Sequence, residues 1–445
     1  MSERFDLIIA GGTCLTPAGR AVADVGVRGG RIAAIGDLGA AAAEARFAAR
    51  GLHVLPGVID TQVHFREPGA EHKEDLESGT RGAVLGGVTG VFEMPNTNPT
   101  TSSGAALDDK LKRAAGRAWC DHAFYVGATG DNAGILAQIE GRPGCCGVKV
   151  FMGASTGSLL VADDAHLEIV LRAGRRRVAI HAEDEPRMQE RRALIKPDGG
   201  PAQHPMWRDE ESAVRATTRA LALARKTRRP VHILHVTSAA EMPLLAQHKD
   251  IASVEVTPQH LTLAAPDCYE RLGTLAQMNP PIRDARHREA LWRGLADGIV
   301  DVIGSDHAPH TREEKAKPYP ASPSGMTGVQ TLVPIMLDHV AAGRLTLERF
   351  VDLTSAGPQR VFNIAGKGRI ALGYDADFTI VDLALKRRIE NAWIASRCGW
   401  TPYDGMTVTG WPRATIIRGR IVMREDELLG PPAGTPIRFV DTLAE

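Results

Sequence analysis

Eight short apolar runs, rich in β-branched residues, recur through the middle of the chain and restrict its fold more than any other feature. They lie at residues 58–64, 88–94, 122–127, 148–152, 178–181, 231–236, 253–257 and 300–304. Between them, stretches such as 106–118, 165–175, 210–227 and 287–296 repeat apolar side chains every three or four residues, which is typical of amphipathic helices. Strands that alternate with helices predict an α/β fold with a parallel sheet, and eight repeats favour a closed (β/α)8 barrel of the TIM type.

A doubly wound open sheet is the alternative explanation of the same alternation. An open sheet places its site at one switch point, whereas a barrel gathers the carboxyl ends of all its strands around one opening. Polar residues follow many of the runs in this chain, so the closed barrel is the better interpretation.

The two ends of the chain have a different pattern. Residues 5–35, 370–381 and 414–422 contain short alternating runs separated by glycines, which is typical of short strands joined by turns. We expect both ends to form one small β-sandwich domain, with the barrel inserted between them. The predicted boundaries are 1–55 for the first part of the small domain, 56–363 for the barrel, and 364–445 for the second part and a tail.

The charge balance excludes several kinds of partner. Lys and Arg number 53, as do Asp and Glu, and this neutrality argues against binding to nucleic acid or to an anionic membrane. No apolar run reaches the roughly 18 residues of a membrane span, and the first ten residues do not resemble a signal peptide. The six cysteines show no CxxC pair, so we expect reduced thiols in a cytoplasmic protein. Composition therefore excludes several partners but identifies none, and the expectation of a small-molecule substrate comes from the motifs below.

Polar side chains occur in or just after five of the apolar runs. They are Gln62, His64 and Arg66, then Lys149, His181 and His235, and finally Asp306 and His310. A single buried histidine is usually a hydrogen-bonded core residue, and we interpret His232 in this way. Because the carboxyl ends of barrel strands meet at one opening, the joint pattern predicts a shared site. Imidazole and carboxylate ligands in that arrangement suit zinc or another divalent transition metal.

Lys149 is the unusual member of this set. Its neighbours are Val148 and Val150, and an unpaired ammonium group among buried valines is costly, so we expect it to be paired or neutral. A neutral lysine can react with carbon dioxide to form a carbamate, whose two oxygens could bridge two cations. The alternative is a lysine that extends to the solvent at the rim, but the other ligands beside it favour the carbamate.

Five motifs resemble those of the dihydroorotase family within the amidohydrolase superfamily, and the resemblance covers essentially the whole chain. They are DTQVHFREPG at 60–69, HKEDLESGT at 72–80, MPNT at 94–97, MNPPIR at 278–283 and SDHAPH at 305–310. The resemblance implies a site that holds one or two zinc ions through His64, Lys149, His181, His235 and Asp306, with Lys149 as a carbamate. It also implies a metal-activated hydroxide as the nucleophile and Asp306 as general acid and base.

The resemblance further implies a substrate and its contacts. Members of the family reversibly hydrolyse the cyclic amide of (S)-dihydroorotate to N-carbamoyl-L-aspartate in pyrimidine biosynthesis. Arg66, Asn96 and His310 match the residues that hold the substrate carboxylate, and Asn279 matches a residue that contacts the pyrimidine ring. The planar guanidinium of Arg66 suits a carboxylate, because it can donate two parallel hydrogen bonds.

Gln62 departs from the family pattern, which has a metal-binding histidine at this position. Glutamine offers a neutral, weaker oxygen ligand and no imidazole nitrogen. Three outcomes are open: weak ligation through the amide oxygen, loss of one of two metal ions, or an inactive protein. The other five ligands and the carboxylate-binding residues favour an active enzyme.

Two other functions remain open. A lysine at position 149 also fits allantoinases and dihydropyrimidinases, which open related rings, although Arg66 and the SDHAPH motif favour dihydroorotase. The second is a non-catalytic, dihydroorotase-like structural partner of aspartate transcarbamoylase. We also expect a homo-oligomer, either a dimer or a tetramer, and the proline-rich segment after His310 is either a mobile lid or an ordinary connection.

Overall fold

The strands fall into three groups along the chain in the computed structural model, which describes residues 4–155, 159–196 and 198–443. The first group is β1 (Phe5–Thr16), β2 (Gly19–Arg28), β3 (Arg31–Gly36), β4 (Ala43–Ala48) and β5 (His53–Pro56). The second is β6 (Val58–Val63), β7 (Val88–Glu93), β8 (Asp121–Gly127), β9 (Cys145–Phe151), β10 (Val178–His181), β11 (Val231–Ile233), β12 (Ala252–Val256) and β13 (Val302–Ile303). The third is β14 (Phe378–Arg388), β15 (Thr407–Ile417), β16 (Arg420–Arg424) and β17 (Glu427–Leu428).

Helices occupy the connections between the central strands and follow the last of them. They are α1 (Leu76–Leu85), α2 (Gly104–Ala114), α3 (Ala133–Glu140), α4 (Asp164–Arg172), α5 (Glu185–Arg191), α6 (His204–Trp207), α7 (Glu210–Thr227), α8 (Glu241–Ala246), α9 (Pro258–Thr262), α10 (Asp267–Leu272), α11 (Ala285–Ala296), α12 (Arg312–Lys315), α13 (Leu332–Ala341), α14 (Leu347–Val351) and α15 (Gly357–Phe362). No helix within the three described ranges is long and apolar enough to cross a membrane.

Helix α7 shows how local sequence sets these elements. Its buried residues Ala213, Ala216 and Ala220 recur at three- and four-residue spacing, so one face of the helix packs inward. Asp209 caps the amino end by accepting a hydrogen bond from a backbone N–H of the first turn. The helix ends before Arg228, which adopts a left-handed conformation with φ of 57°. These bounds match the predicted stretch.

The eight central strands form one parallel sheet in sequential order from β6 to β13. The sheet closes where β6 meets the segment after β13: Val63 pairs with His307, and the backbone N–H of His64 donates to the His307 carbonyl over 2.7 Å. The predicted (β/α)8 barrel is therefore confirmed. Its last strand is shorter than the apolar run implied, because only Val302–Ile303 pairs with β12.

Aromatic side chains fill the amino end of the barrel. Phe92 and Tyr125 pack edge to face on Phe362, with ring centroids 5.1 and 6.3 Å apart. Phe439 joins this cluster 5.9 Å from Phe92, and the backbone N–H of Ile437 donates to the carbonyl of His122 at the start of β8. This end is therefore packed, and the carboxyl ends of the strands are left to form the opening.

The strands from both ends of the chain form a separate mixed sheet. Its order is β17-β16-β15-β14-β5-β1-β2-β3, with β4 paired to β1. Strand β5 joins the two chain ends because it pairs with both β1 and β14, and the sheet encloses an apolar cluster that includes Val25, Phe47 and Phe378. The predicted small β domain is confirmed. Of the predicted stretch 370–381, residues from Phe378 onward belong to β14, while the part before it is rich in turns, and Gly373 has a φ of 80° there.

A buried ionic cluster connects the small domain to the barrel. The Lys367 ammonium donates to Asp121 at the start of β8 (2.6 Å) and to Asp377 just before β14 (2.5 Å). The surrounding carboxylates hold the pKa of Lys367 above its usual range despite its burial. The cluster lies at the amino end of the barrel, away from the opening.

Candidate active site

A cavity of about 340 Å³ lies at the carboxyl ends of the barrel strands. Nine of the predicted site residues line it: Gln62, His64, Arg66, Asn96, Lys149, His181, His235, Asn279 and Asp306. The tenth, His310, lies next to Arg66 with its Nε2 atom 3.2 Å from the Arg66 Nη2 atom. The structure therefore brings together residues that are up to 248 positions apart in the sequence.

One group of possible metal ligands lies at the ends of the first and last barrel strands. His64 Nε2 lies 3.2 Å from Asp306 Oδ1, and Gln62 Nε2 donates to the same oxygen over 3.0 Å. His64 Nδ1 donates to Asn96 Oδ1 over 2.7 Å, and burial lowers the pKa of His64, so the ring is neutral. With its proton on Nδ1, His64 directs the lone pair of Nε2 toward the Asp306 carboxylate. Two acceptor atoms thus face each other, which is an arrangement that suits a cation.

The middle strands contribute a second pair of imidazoles. His181 Nδ1 lies 3.0 Å from His235 Nε2, and the ring centroids are 4.7 Å apart. His181 Nε2 donates to Glu183 Oε2 over 2.8 Å, so its Nδ1 atom carries the lone pair. Burial lowers the pKa of both histidines. Both rings are therefore neutral, which is the form that binds a metal.

Lys149 is fully enclosed in this cavity without a polar partner. Its Nζ atom has no hydrogen bond within the described ranges and lies 4.4 Å from the centroid of the Phe151 ring. Burial lowers its pKa to about 7, and the charges of Asp306 and Glu255 only partly oppose this effect. A large fraction of the amine is therefore neutral near pH 7 and can act as a nucleophile toward carbon dioxide.

The unpartnered atoms test whether these residues fit a metal ion. Lys149 Nζ, His235 Nδ1 and Gln62 Oε1 are all buried and lack hydrogen bonds among the residues that the structure describes. Buried polar groups are rarely left in this state unless they bind an ion, water or ligand. In the same ranges, no three His, Cys, Asp or Glu side chains form a complete metal-binding group. The possible ligands instead form two pairs, His64 with Asp306 and His181 with His235, and Lys149 and Gln62 line the same cavity. This set fits a cation if Lys149 is a carbamate.

Arg66 provides a buried positive charge beside these donors. Its Nε atom donates to the Pro309 carbonyl over 3.1 Å, and no carboxylate within the described residues lies at ion-pair distance. Lys73 Nζ donates to His310 Nδ1 (3.2 Å), so His310 Nε2 carries the ring proton and donates it to Ser324 O (3.0 Å). Burial lowers the pKa of His310 to about 3, which keeps the ring neutral. The terminal N–H groups of Arg66 are therefore available to a ligand.

Several residues that support the site were not predicted. The Arg208 guanidinium pairs with Glu183, whose carboxylate holds His181, and this pairing keeps the pKa of Glu183 below its usual range. Glu183 lies two residues after His181, so the alternation of side chains along a strand could have identified it. Arg208 comes from the connection before α7 and carries no sequence signal.

Glu255 is a second unpredicted carboxyl group near Lys149. Thr61 Oγ1 donates to it over 2.6 Å, and burial raises the pKa of Glu255 to about 8. Near pH 7 much of it is protonated, so its charge offsets only part of the effect of burial on Lys149. His232, interpreted as structural from the sequence, lies beside it, with Nδ1 2.8 Å from Ser253 Oγ.

The cavity continues into a wider groove of about 1130 Å³. Ser155, Asn279 and Ser324 line both spaces, so a ligand can reach the cavity through the groove. The proline-rich segment after His310 forms one side of it. Lys315 holds this segment, because its ammonium donates to the carbonyls of Gln277 (3.0 Å), Pro323 (2.9 Å) and Gly325 (3.0 Å). These contacts favour an ordinary connection over a mobile lid.

Comparisons with known proteins agree with this geometry. Residues 53–422 match the amidohydrolase family. A dihydroorotase of Halobacterium salinarum is 38% identical over 377 residues, covering 84% of this chain and 87% of that protein. An allantoinase of Deinococcus radiodurans is 33% identical over 446 residues, covering 98% and 99%. The structure of L-hydantoinase (dihydropyrimidinase) from Arthrobacter aurescens has a TM-score of 0.93 at 30% identity, covering 97% of this chain and 99% of its own. On the extent of the family match and the identity to these relatives, the chain belongs to the amidohydrolase family.

Proposed function

We propose that this chain is a dihydroorotase, which interconverts (S)-dihydroorotate and N-carbamoyl-L-aspartate in pyrimidine biosynthesis. The observation that carries the proposal is the Arg66 guanidinium, which is 5% exposed and lines the same cavity as Asp306. Its Nε atom donates to a backbone carbonyl, its Nη2 atom lies beside His310, and no carboxylate among the described residues pairs with it. A buried cation without a counter-ion is costly, and a substrate carboxylate would supply that counter-ion.

The proposal includes a divalent metal ion, since members of the amidohydrolase family generally use one. We propose one or two zinc ions, held by His64, His181, His235, Asp306 and a carbamate on Lys149. The facing acceptors of His64 and Asp306 and the unpartnered Lys149 amine support this set. When bound, such a cation lowers the pKa of water and polarises an amide carbonyl.

Asp306 is the proposed general acid and base. Its Oδ1 atom accepts from Gln62 Nε2, which fixes the carboxylate at the floor of the cavity. As water adds to the ring carbonyl carbon, Asp306 takes up its proton. As the ring C–N bond breaks, Asp306 returns that proton to the departing nitrogen, so one water is consumed and the ring opens. The reverse sequence closes the ring.

Four residues are proposed to bind the substrate. Arg66 would hold the carboxylate through two parallel hydrogen bonds, with Asn96 beside it. In the proposal His310, whose Nε2 atom lies 3.2 Å from the Arg66 Nη2 atom, contributes to the same carboxylate site. Asn279 would contact the ring from the side of the groove.

Replacement of Arg66 by Met tests the proposal directly. The variant keeps an unbranched apolar chain and loses the fork that would bind the carboxylate. We expect kcat/KM for dihydroorotate to fall by about a hundredfold or more, because charge-assisted bidentate hydrogen bonds are lost. Metal content should not change, since Arg66 is not among the proposed ligands.

Arg142→Met provides the matched control, because Arg142 pairs with Asp108 at the surface. Its turnover should equal that of the wild type. An Arg66→Met variant that keeps its activity would sink the dihydroorotase proposal. Faster wild-type turnover of allantoin, a hydantoin or a dihydropyrimidine would instead favour the ring-opening activities named in the allantoinase and hydantoinase relatives.

We also propose a cytoplasmic homo-oligomer, a dimer or a tetramer, that associates with aspartate transcarbamoylase. All six cysteines are free and buried, which supports a reducing compartment. Ile135 of α3 and Ile169 of α4 are 42% and 53% exposed, and self-association could bury them. Light scattering measures the mass in solution, and a monomeric mass would contradict the proposed homo-oligomer. If the chain binds aspartate transcarbamoylase but does not turn over dihydroorotate, it is a non-catalytic structural partner of that enzyme instead.

A further inference from the structure

His204 of α6 contacts Asn279 from behind the wall of the cavity. Its Nε2 atom lies 2.9 Å from Asn279 Oδ1 and 3.2 Å from the Met278 carbonyl oxygen. Its Nδ1 atom lies 3.3 Å from the hydroxyl of Tyr319. His204 is buried and lines the wider groove rather than the catalytic cavity, so within the cavity it acts on a ligand through Asn279, which lines both spaces.

The neighbours of His204 determine which of its nitrogens carries the proton. A backbone carbonyl can only accept a hydrogen bond, so the Nε2 atom facing Met278 must be protonated. Burial lowers the pKa of His204 to about 3, so the ring is neutral and Nδ1 has a lone pair. Nδ1 therefore accepts a hydrogen bond from the Tyr319 hydroxyl.

The ring has little freedom to change this arrangement. Trp207 and Tyr319 each pack against it edge to face, with centroids 5.8 Å away and interplanar angles of 80° and 84°. Tyr319 belongs to the segment that Lys315 holds against the groove. The tautomer and the orientation of His204 are thus fixed from two sides.

The protonated Nε2 atom in turn fixes the amide of Asn279. Because Oδ1 accepts from His204, the NH2 group of Asn279 points the other way, 3.4 Å from Ser155 Oγ at the junction of cavity and groove. We propose that His204 is a positioning residue that makes Asn279 a hydrogen-bond donor in the cavity, so that the site selects a ring with a carbonyl oxygen at this point. This inference rests on the proposed function, because it concerns how the ring of that substrate is recognised.

Three variants separate this role from simple packing. His204→Phe keeps an aromatic ring and removes the donor, so we expect KM for dihydroorotate to rise about tenfold while kcat changes less than about threefold. His204→Gln places an amide N–H near the Nε2 position and should restore KM to within about threefold of the wild type. Tyr319→Phe removes only the hydroxyl and should raise KM by about threefold. The control is His166→Phe, at a histidine that is 53% exposed, and it should behave as the wild type.

Two results would overturn the proposal. One is an unchanged KM in His204→Phe. The other is an equal loss in His204→Phe and His204→Gln, which would indicate packing alone. Nitrogen-15 NMR of labelled histidine gives a readout that needs no turnover, with the His204 signal assigned from the spectrum of His204→Gln. An Nε2–H tautomer supports the proposal, and an Nδ1–H tautomer contradicts it. If the wild type does not turn over dihydroorotate, the proposed function fails, while the tautomer still decides the role of His204.

Discussion

Gln62 differs from the other cavity residues in what it can offer a cation. Its Nε2 atom donates to Asp306 Oδ1 over 3.0 Å, and its Oε1 atom has no polar partner in the described part of the chain. An amide oxygen is neutral and a weaker ligand for zinc than an imidazole nitrogen. We therefore expect one cation position to be held weakly at this strand, while the donors from the middle strands are unaffected.

Gln62→His should raise the metal content toward two ions per chain and increase the turnover of dihydroorotate. The reason is that an imidazole nitrogen replaces the unpartnered amide oxygen in the cavity that His64 also lines. Elemental analysis of the dialysed protein, with turnover measured on the same sample, checks both effects.

Gln247→His is a suitable control for this substitution, because Gln247 is exposed at the end of α8 and remote from the cavity. It adds one imidazole to the chain without adding one to the site. Unchanged metal content in Gln62→His would mean that position 62 does not limit binding.

Sequence patterns predict which single residues line the cavity only where those residues lie in or next to a strand. Alternation predicts that Gln62, His64 and Arg66 share a face, and all three line one cavity, although β6 ends at Val63 and Arg66 has a φ of 63°. It could not predict that Gln62 would bond to Asp306, since that contact joins the first and last strands. Arg208 and His204 come from loops and short helices, where spacing carries no information on direction.

Among the elements, the segment from α12 to Gly325 depends most on one side chain. The Lys315 ammonium is fully buried and donates to the carbonyls of Gln277, Pro323 and Gly325. Lys315→Met would leave these three acceptors unpaired, so we expect a loss of about 2 kcal/mol or more in the free energy of unfolding. Hydrogen exchange in residues 316–325 should become faster, and KM should rise because Ser324 lines the cavity.

Lys317→Met is the control within the same segment, because Lys317 is exposed. Its hydrogen exchange and KM should match the wild type. Equal exchange in the two variants would show that the Lys315 contacts do not hold the segment, and the mobile-lid interpretation would then regain support.

Elements with strong periodicity were predicted closely, and short ones were not. Helix α7 has the expected bounds, because its apolar spacing and its cap agree. Within the predicted stretch 370–381, the residues before Phe378 form turns rather than a strand, since glycine and aspartate in that region favour turns over extended pairing. The barrel closes between β6 and the segment after β13. This closure was predicted from the eight strand–helix repeats and not from any sequence motif at the two segments that meet.

At the scale of the whole molecule, buried histidines make stability depend on pH. Burial lowers the pKa of His204, His232 and His310 to about 3, and of His260 and His339 to about 4. The unfolded chain binds these protons near pH 6.5 and the folded chain does not, so stability falls as the pH drops from about 6.5 toward 4. One such histidine accounts for up to about 2 kcal/mol at pH 5.

Urea unfolding at pH 7, 6 and 5, with a chelator present, measures this effect. His232→Asn keeps a polar group near Ser253 and removes the titrating ring, so its midpoint should fall less steeply than that of the wild type. His166→Asn, at an exposed ring, should follow the wild-type slope. Equal slopes for the wild type and His232→Asn would contradict the assignment of His232 as a buried, neutral ring.

The central claim is that the barrel opening holds a metal ion next to a carboxylate-binding arginine and opens a cyclic amide. Metal stoichiometry and dihydroorotate turnover, measured on one preparation, test it most directly. We predict about one equivalent or more of zinc per chain, together with turnover that is lost on chelation and restored by zinc. Less than about half an equivalent of metal after careful purification, with no turnover on addition of zinc, would contradict the claim.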